Sequence, residues 1–226
     1  MQNILIAGAS RGIGLALVKG YLEQGDQVFA VVRRAGNEAL DTLGQQHPGR
    51  LRQITCDLAA DDAPSVISSA LGTATLNVAL FNAGISGSQD IDGISSTDIG
   101  ALFMINAVAP VRIARAIKDQ VTVDGVIAFT SSQMGSVALA RSATMPMYGA
   151  SKAALNSLLQ SWSQADDKPA STLLALHPGW VKTDMGGDNA PVEVTDSAAG
   201  LIKTVALFQK RGGCHFADYQ QQTLAW

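Results

Sequence analysis

Seven short apolar runs rich in β-branched residues recur along this chain: Asn3–Ala7, Gln27–Arg33, Leu51–Cys56, Leu76–Phe81, Gly125–Thr130, Thr172–His177 and Cys214–Ala217. Between them lie segments whose apolar residues follow helical spacing: Gly12–Gln24, Glu38–Leu43, Ala63–Leu71, Thr97–Lys118, Tyr148–Ala165 and Ser197–Gln209. Several of these follow a Ser, Thr or Asp able to cap a helix. The strands are apolar throughout instead of alternating, which requires both sheet faces to be covered. Right-handed crossovers then wind such a chain in two directions from its first strand. We therefore expect an α/β fold of one doubly wound domain over residues 1–226, with a seven-stranded parallel sheet flanked by helices on both faces.

The 226 residues are 47% hydrophobic, enough to bury the core of one domain. A net charge of −3, with Lys and Arg scattered, offers no basic patch for a phosphate backbone, so nucleic acid is not an expected partner. The first strand-like run starts too early to leave room for a signal peptide, and no apolar stretch approaches the roughly 20 residues that span a bilayer. The expected location is the cytoplasm, with no membrane partner. Cys56 and Cys214 lack C-x-x-C spacing and are expected as free thiols. His47, His177 and His215 are dispersed, so no metal site is expected.

The first strand runs into Gly8-Ala9-Ser10-Arg11-Gly12-Ile13-Gly14 and then a helix. Glycines there let backbone approach a pyrophosphate, and the helix N-terminus offers unpaired N–H groups and partial positive charge. The spacing is G-x-x-x-G-x-G, not G-x-G-x-x-G, and its position at the first strand-to-helix junction points to a Rossmann-type dinucleotide site. After the second strand, where an acid would bind the ribose hydroxyls of NAD, the chain reads Arg33-Arg34. A guanidinium suits the 2′-phosphate of NADP, and Arg11 is able to approach the same group from the other side, so NADP is expected over NAD. The alternative is that both arginines only solvate a strand end.

Tyr148 and Lys152 stand at i and i+4 on one helical face, Ser131 and Ser132 end the fifth strand, and Asn106 lies in the preceding helix. At this point the sequence resembles the short-chain dehydrogenase/reductase family along essentially its whole length. The motifs occur in family order: the glycine loop, Asp57, Asn82-Ala83-Gly84, Asn106, Ser132-x-x-Gly135, Tyr148-x-x-x-Lys152 and Pro178-Gly179. Within the family, His177–Gly187 and the ending at Trp226 look like the C-factor and sniffer-like carbonyl reductase branch. Ala7 and Phe81 depart from the family pattern, where Thr and Asn are usual.

The resemblance implies Asn106, Ser132, Tyr148 and Lys152 as the catalytic set, with Ser132 and not Ser131 at the catalytic spacing. For the cofactor it implies Gly8, Ser10, Gly12, Ile13 and Gly14 around the pyrophosphate, Asp57 and Leu58 at the adenine, and Asn82, Ala83 and Gly84 on the nicotinamide side. Pro178, Gly179, Val181 and Thr183 would follow along the nicotinamide, Thr183 at the carboxamide, and Lys152 would hold the ribose. A phenol titrates near 10 and needs a neighbouring cation to exchange protons at neutral pH, which is the part Lys152 would play for Tyr148. Tyr148 would then protonate the alkoxide formed by hydride transfer, Ser132 would hydrogen-bond it, and Asn106 would hold a water leading to solvent.

The expected activity is hydride transfer between NADP(H) and a ketone, aldehyde or secondary alcohol. The alternative is a C-factor-like signalling or regulatory protein that binds NAD(P) with little turnover. Substrate loops are expected near residues 133–147 and 179–195, where Met134, Met145, Met147 and Met185 either line a pocket or fill core. The resemblance also implies a homodimer or homotetramer, and the small and apolar residues Ala150, Ala153, Ala154, Leu158 and Leu159 recur along one segment able to pack against a symmetry mate.

Overall fold

A computed structural model describes residues 1–139 and 144–226. The strands are β1 (Asn3–Ala7), β2 (Gln27–Val32), β3 (Leu51–Thr55), β4 (Leu76–Phe81), β5 (Val121–Thr130), β6 (Thr172–His177) and β7 (Cys214–Asp218). The helices are α1 (Gly12–Glu23), α2 (Glu38–Gln46), α3 (Ala63–Leu71), α4 (Ser96–Phe103), α5 (Ala109–Ile117), α6 (Pro146–Gln164) and α7 (Val194–Phe208). All seven strands pair in parallel, in the order β3-β2-β1-β4-β5-β6-β7. The expected doubly wound sheet is thus found, and its direction reverses between β1 and β4. Loops leaving these two strands part in opposite directions and open a crevice at the carboxyl edge.

Strand residues alternate between two buried layers. Leu5, Phe29, Ala79, Ile127 and Leu173 face one side, where α3, α5 and α6 cover them. Ile4, Val28, Val78, Val126 and Leu174 face the other, under α1, α2 and α7. Period-two geometry sends neighbours to opposite faces, so two covered faces demand an unbroken apolar run. Truncating one of these fully buried side chains to Ala costs about 2–5 kcal/mol.

The elements differ from expectation in two informative places. β5 starts at Val121, four residues earlier than its apolar run, because the added Thr122–Asp124 stretch is largely solvated. The register shifts between Leu76 and Val78, and a Cβ on Gly125 would stand 2.7 Å from the Asn77 carbonyl, so glycine is needed there. The predicted single helix Thr97–Lys118 is instead interrupted by a π turn at Met104–Val108. Pro110 has no N–H to offer the Asn106 carbonyl one turn earlier, and its ring forces the helix to widen.

The whole run Ser96–Gln120 is long and apolar enough, by length and composition, to cross a membrane, contrary to the expectation from sequence. In the fold it is amphipathic. Leu102, Ala107, Ile113 and Ile117 are fully buried, while Arg112 and Arg115 reach Asp61 and Asp167 on the outer side. Cys56 and Cys214 are free thiols, and burial pushes both above the ordinary thiol range.

Candidate active site

The glycine loop sits in the switch-point crevice. Gly8 and Ala9 donate to the Val31 carbonyl (3.1 and 3.2 Å), and Asn82 and Ala83 donate to Ala7 (2.8 and 3.1 Å), so the loops after β1 and β4 are bonded to their neighbouring strands. Gly8 has φ +87°, and a Cβ there would stand 2.6 Å from the Ala83 nitrogen. A Cβ on Gly14 would fall 2.0 Å from the Gly8 carbonyl, which is why no larger residue closes this turn. Helix α1 begins with neither a side-chain cap nor an acidic residue in its first turn. Its leading N–H groups, from Gly12, Ile13 and Gly14, are therefore left for an anion.

Other nucleotide-side residues surround this point. Ser10 is exposed, and its carbonyl accepts from the Asn37 amide (2.9 Å). Arg33 is exposed at the end of β2 and makes no ion pair among the described residues. Arg11 pairs with Asp184 across the crevice, linking the glycine loop to the loop after β6. Because both partners are solvated, this contact is weak and open to exchange. Asp57 is exposed and its carboxylate accepts from Ala59 N–H (3.0 Å), while Leu58 packs on the core beneath it. Ala7 and Phe81, the two departures from the family pattern, are core residues; Phe81 stacks on Phe129 at 5.2 Å.

The proposed catalytic residues converge at the carboxyl ends of β4 and β5. Lys152 is 2% exposed, donates from Nζ to the Thr130 carbonyl (2.7 Å), and lies 5.6 Å from the centre of the Tyr148 ring. Burial pushes the Lys152 ammonium down to about 8 and the Tyr148 phenol up to about 12. The lysine therefore releases its proton well before the phenol does. The two neighbouring serines diverge. Ser131 is fully buried and donates to Asn156 Oδ1 (2.7 Å), whereas Ser132 Oγ accepts from Met134 N–H (3.1 Å) at the head of a short 3-10 turn, Gln133–Gly135. A Cβ on Gly135 would meet the Lys152 backbone carbonyl carbon at 2.8 Å. The glycine of the Ser132-x-x-Gly135 motif therefore permits this turn to press directly on α6.

Asn106 sits in the π turn, 1% exposed, and its amide is fully engaged. Its Oδ1 accepts from Ile85 N–H (2.8 Å), and its Nδ2 donates to the Ile85 carbonyl (2.8 Å) and to Ser151 Oγ (2.9 Å). The side chain holds the β4 loop against α6. Pro110 cannot donate to the Asn106 backbone carbonyl four residues earlier.

A continuous hydrogen-bonded path joins the two halves of the site. Asn82 Nδ2 donates to the Gly8 carbonyl (3.2 Å), Asn82 Oδ1 accepts from Thr130 Oγ1 (3.1 Å), and the Thr130 carbonyl receives Lys152. Three residues in or beside this assembly were not anticipated from sequence. Thr130 reads from sequence only as a strand end. Ser151 relays Asn106 to the Tyr148 carbonyl, to which it donates at 2.7 Å. Gln89 accepts from Tyr148 N–H (3.2 Å) and donates to the Ser86 carbonyl (2.6 Å), so it pins the opening turn of α6 to the β4 loop. Such contacts join residues far apart in the chain and leave no periodic signal.

The two expected substrate loops flank this point. In the first, residues 140–143 lie outside the described residues, and the Ala138 N–H donates to the Trp226 carbonyl (3.0 Å) while Trp226 packs on Phe216. Met134 lies against Gly149, and Met145 precedes α6 in the left-handed region (φ 64°). In the second, Pro178 accepts from Ser197 Oγ (2.7 Å), and Gly179 takes φ +87° against Tyr219. Val181 bridges Val192 and is buried. Thr183 accepts from Gly186 N–H (3.1 Å) and presents its methyl towards Gly12.

The family model for short chain dehydrogenases matches residues 2–193. The chain is 48% identical to a carbonyl reductase from Pseudomonas aeruginosa PAO1 solved in complex with NADP, with a TM-score of 0.94 and 100% of each chain covered. It is also similar to the carbonyl reductase Sniffer of D. melanogaster, at 29% identity and TM-score 0.87, covering 100% of both chains. A curated relative, C-signal of Myxococcus xanthus, is 32% identical over 157 residues, covering 68% of this chain and 95% of that protein. A family model spanning most of the sequence, together with motifs gathered around one switch-point crevice, establishes that this chain belongs to the short-chain dehydrogenase family.

Proposed function

We propose that the chain is an NADP-dependent carbonyl reductase acting on a small or medium apolar ketone or aldehyde. The observation that carries this reading is the buried Lys152 beside the Tyr148 ring, with Ser131 bonded to Asn156 and Ser132 at the head of the following turn. The bare N-terminus of α1 and Arg33, without an ion pair among the described residues, fit a phosphorylated dinucleotide, and the nicotinamide would supply a hydride when bound. Gly12, Ile13 and Gly14 N–H groups would hold the pyrophosphate, and Arg33 the 2′-phosphate. Asp57 and Leu58 would border the adenine, and Thr183 the carboxamide.

Ser132 would hydrogen-bond the substrate oxygen, and Tyr148 would protonate it as negative charge develops. Lys152 would hold the ribose and keep the phenol proton exchangeable, fed through a water on the Asn106 carbonyl. On the same reading the enzyme works in the cytoplasm as a homodimer or homotetramer. Ala150, Ala153, Ala154 and the exposed Leu158 are available for that contact; Leu159 is not, being fully buried within the chain.

The test is NADPH oxidation against a panel of apolar ketones and aldehydes, with Tyr148→Phe as the control. Loss of the phenol is expected to lower kcat by about 10²–10⁴-fold with little change in NADPH affinity. Turnover within tenfold of the unmodified protein would remove Tyr148 from the chemistry. NADPH binding with no turnover on any carbonyl would favour a dinucleotide-binding signalling protein.

A further inference from the structure

The two arginines at the nucleotide end stand in different states. Arg33, at the end of β2, makes no ion pair among the described residues, whereas Arg11 in the glycine loop is engaged by Asp184. The strand order puts β2 on one side of β1 and β6 three places away on the other. Pairing with Asp184 therefore draws Arg11 towards the loop after β6 and away from the end of β2. The turn that carries Asp184 is well braced. Gly187 N–H donates to the Thr183 carbonyl (2.8 Å) and Gly186 N–H to Thr183 Oγ1 (3.1 Å). Behind it, Trp180 Nε1 donates to the Gly186 carbonyl (2.8 Å), Lys182 N–H to the Val192 carbonyl (2.9 Å), and Lys182 pairs with Glu193.

A guanidinium presents its donors as a planar fork that fits a carboxylate and a phosphate in the same way. A fork held by Asp184 is turned from a phosphate beside Arg33, so the two anions compete for it. The side chains of Arg11 and Asp184 are 77% and 75% exposed, so no burial locks the pair and a phosphate is able to displace it. We propose that Asp184 sets cofactor choice: as a tethered carboxylate it competes with the 2′-phosphate of NADP for Arg11, and so lowers the preference for NADP over NAD. The proposal rests on the NADP reading of the crevice. NAD lacks that phosphate and does not need Arg11 to be released at the ribose.

Fluorescence titration of the full chain with NADP and with NAD, at low ionic strength, tests this. Breaking one exposed ion pair changes an equilibrium by a factor of about two to five, so Asp184→Asn should raise the NADP-over-NAD preference by about that factor. The gain should fade near about 1 M salt, where the screening length falls to about 3 Å. Asp184→Glu keeps the charge and should behave as the unmodified protein. In an Arg11→Gln background Asp184→Asn should leave the preference unchanged, because there is no guanidinium left to release. Both side chains are largely exposed, so none of these variants disturbs the core. An unchanged or lower preference in Asp184→Asn, or an equal gain in the Arg11→Gln background, would overturn the proposal and leave the NADP reading standing. An unmodified protein that binds NADP no more tightly than NAD, with Arg11→Gln altering neither affinity, would overturn that reading and the proposal with it.

Discussion

Replacing Lys152 by Met should make the protein more stable at neutral pH while abolishing its activity. The ammonium is pushed from 10.5 down to about 8 by burial, which corresponds to a cost of about 3 kcal/mol for holding the charge. The folded-state value is depressed, so the folded protein holds the charge less readily than the unfolded chain does. Below about pH 8 both states are protonated and folding bears the whole penalty. Between 8 and 10.5 the folded state has released its proton while the unfolded chain retains it, and the penalty shrinks to under about 1 kcal/mol by pH 10. Methionine removes the charge and nearly preserves the stem, at the loss of one hydrogen bond to Thr130, about 1 kcal/mol. The net gain is about 2 kcal/mol at pH 7, or a Tm higher by about 4–8 °C, and about zero at pH 10. Calorimetry of both proteins at the two pH values measures it. A variant less stable at pH 7, or a Tm shift of equal size at both pH values, would refute the claim that the charged lysine is held against the fold.

Three further perturbations probe the rest of the site. Arg33→Asp should weaken NADP binding by about 10–100-fold and leave NAD nearly unaffected, as read by fluorescence titration; an unchanged cofactor ratio would dismiss Arg33 from 2′-phosphate recognition. Gly135→Ala forces a methyl to within 2.8 Å of the Lys152 backbone and should cost about 1–3 kcal/mol in denaturant unfolding, along with lost turnover. Gln89→Met removes the acceptor for Tyr148 N–H and should lower kcat about tenfold or more with a small change in Tm, because misplacement of a reacting group is felt in rate before stability. A proportional fall in stability and rate would mark Gln89 as merely structural.

What the sequence disclosed and what it hid divide along one physical line. Strands such as Ile4–Ala7 and Val78–Phe81 are buried on both faces, so every residue reports the same environment and the run stands out. The solvated start of β5 carries no such mark. The π turn is a consequence of one proline placed four residues after Asn106, and helical periodicity alone reads through it. Motif spacing brings Ser132, Tyr148 and Lys152 into view together, and in the structure Lys152 lies beside the Tyr148 ring and bonds to the carboxyl end of β5. It was silent about Gln89 and Ser151, whose parts depend on partners 59 and 45 positions away. Spacing groups Leu159 with the small residues of α6, and only packing shows that it points inward.

The path from Gly8 through Asn82 and Thr130 to Lys152 has a consequence for how such a protein can change. On the proposed reading the nucleotide turn and the buried lysine share a common spine, so they would not vary as independent traits. A substitution that shifts the first turn would also tilt the Lys152 amine through the same hydrogen bonds. Paired substitutions at the two ends should therefore deviate from additivity, and variants selected for new cofactor preference should regain speed by compensating at Asn82 or Thr130.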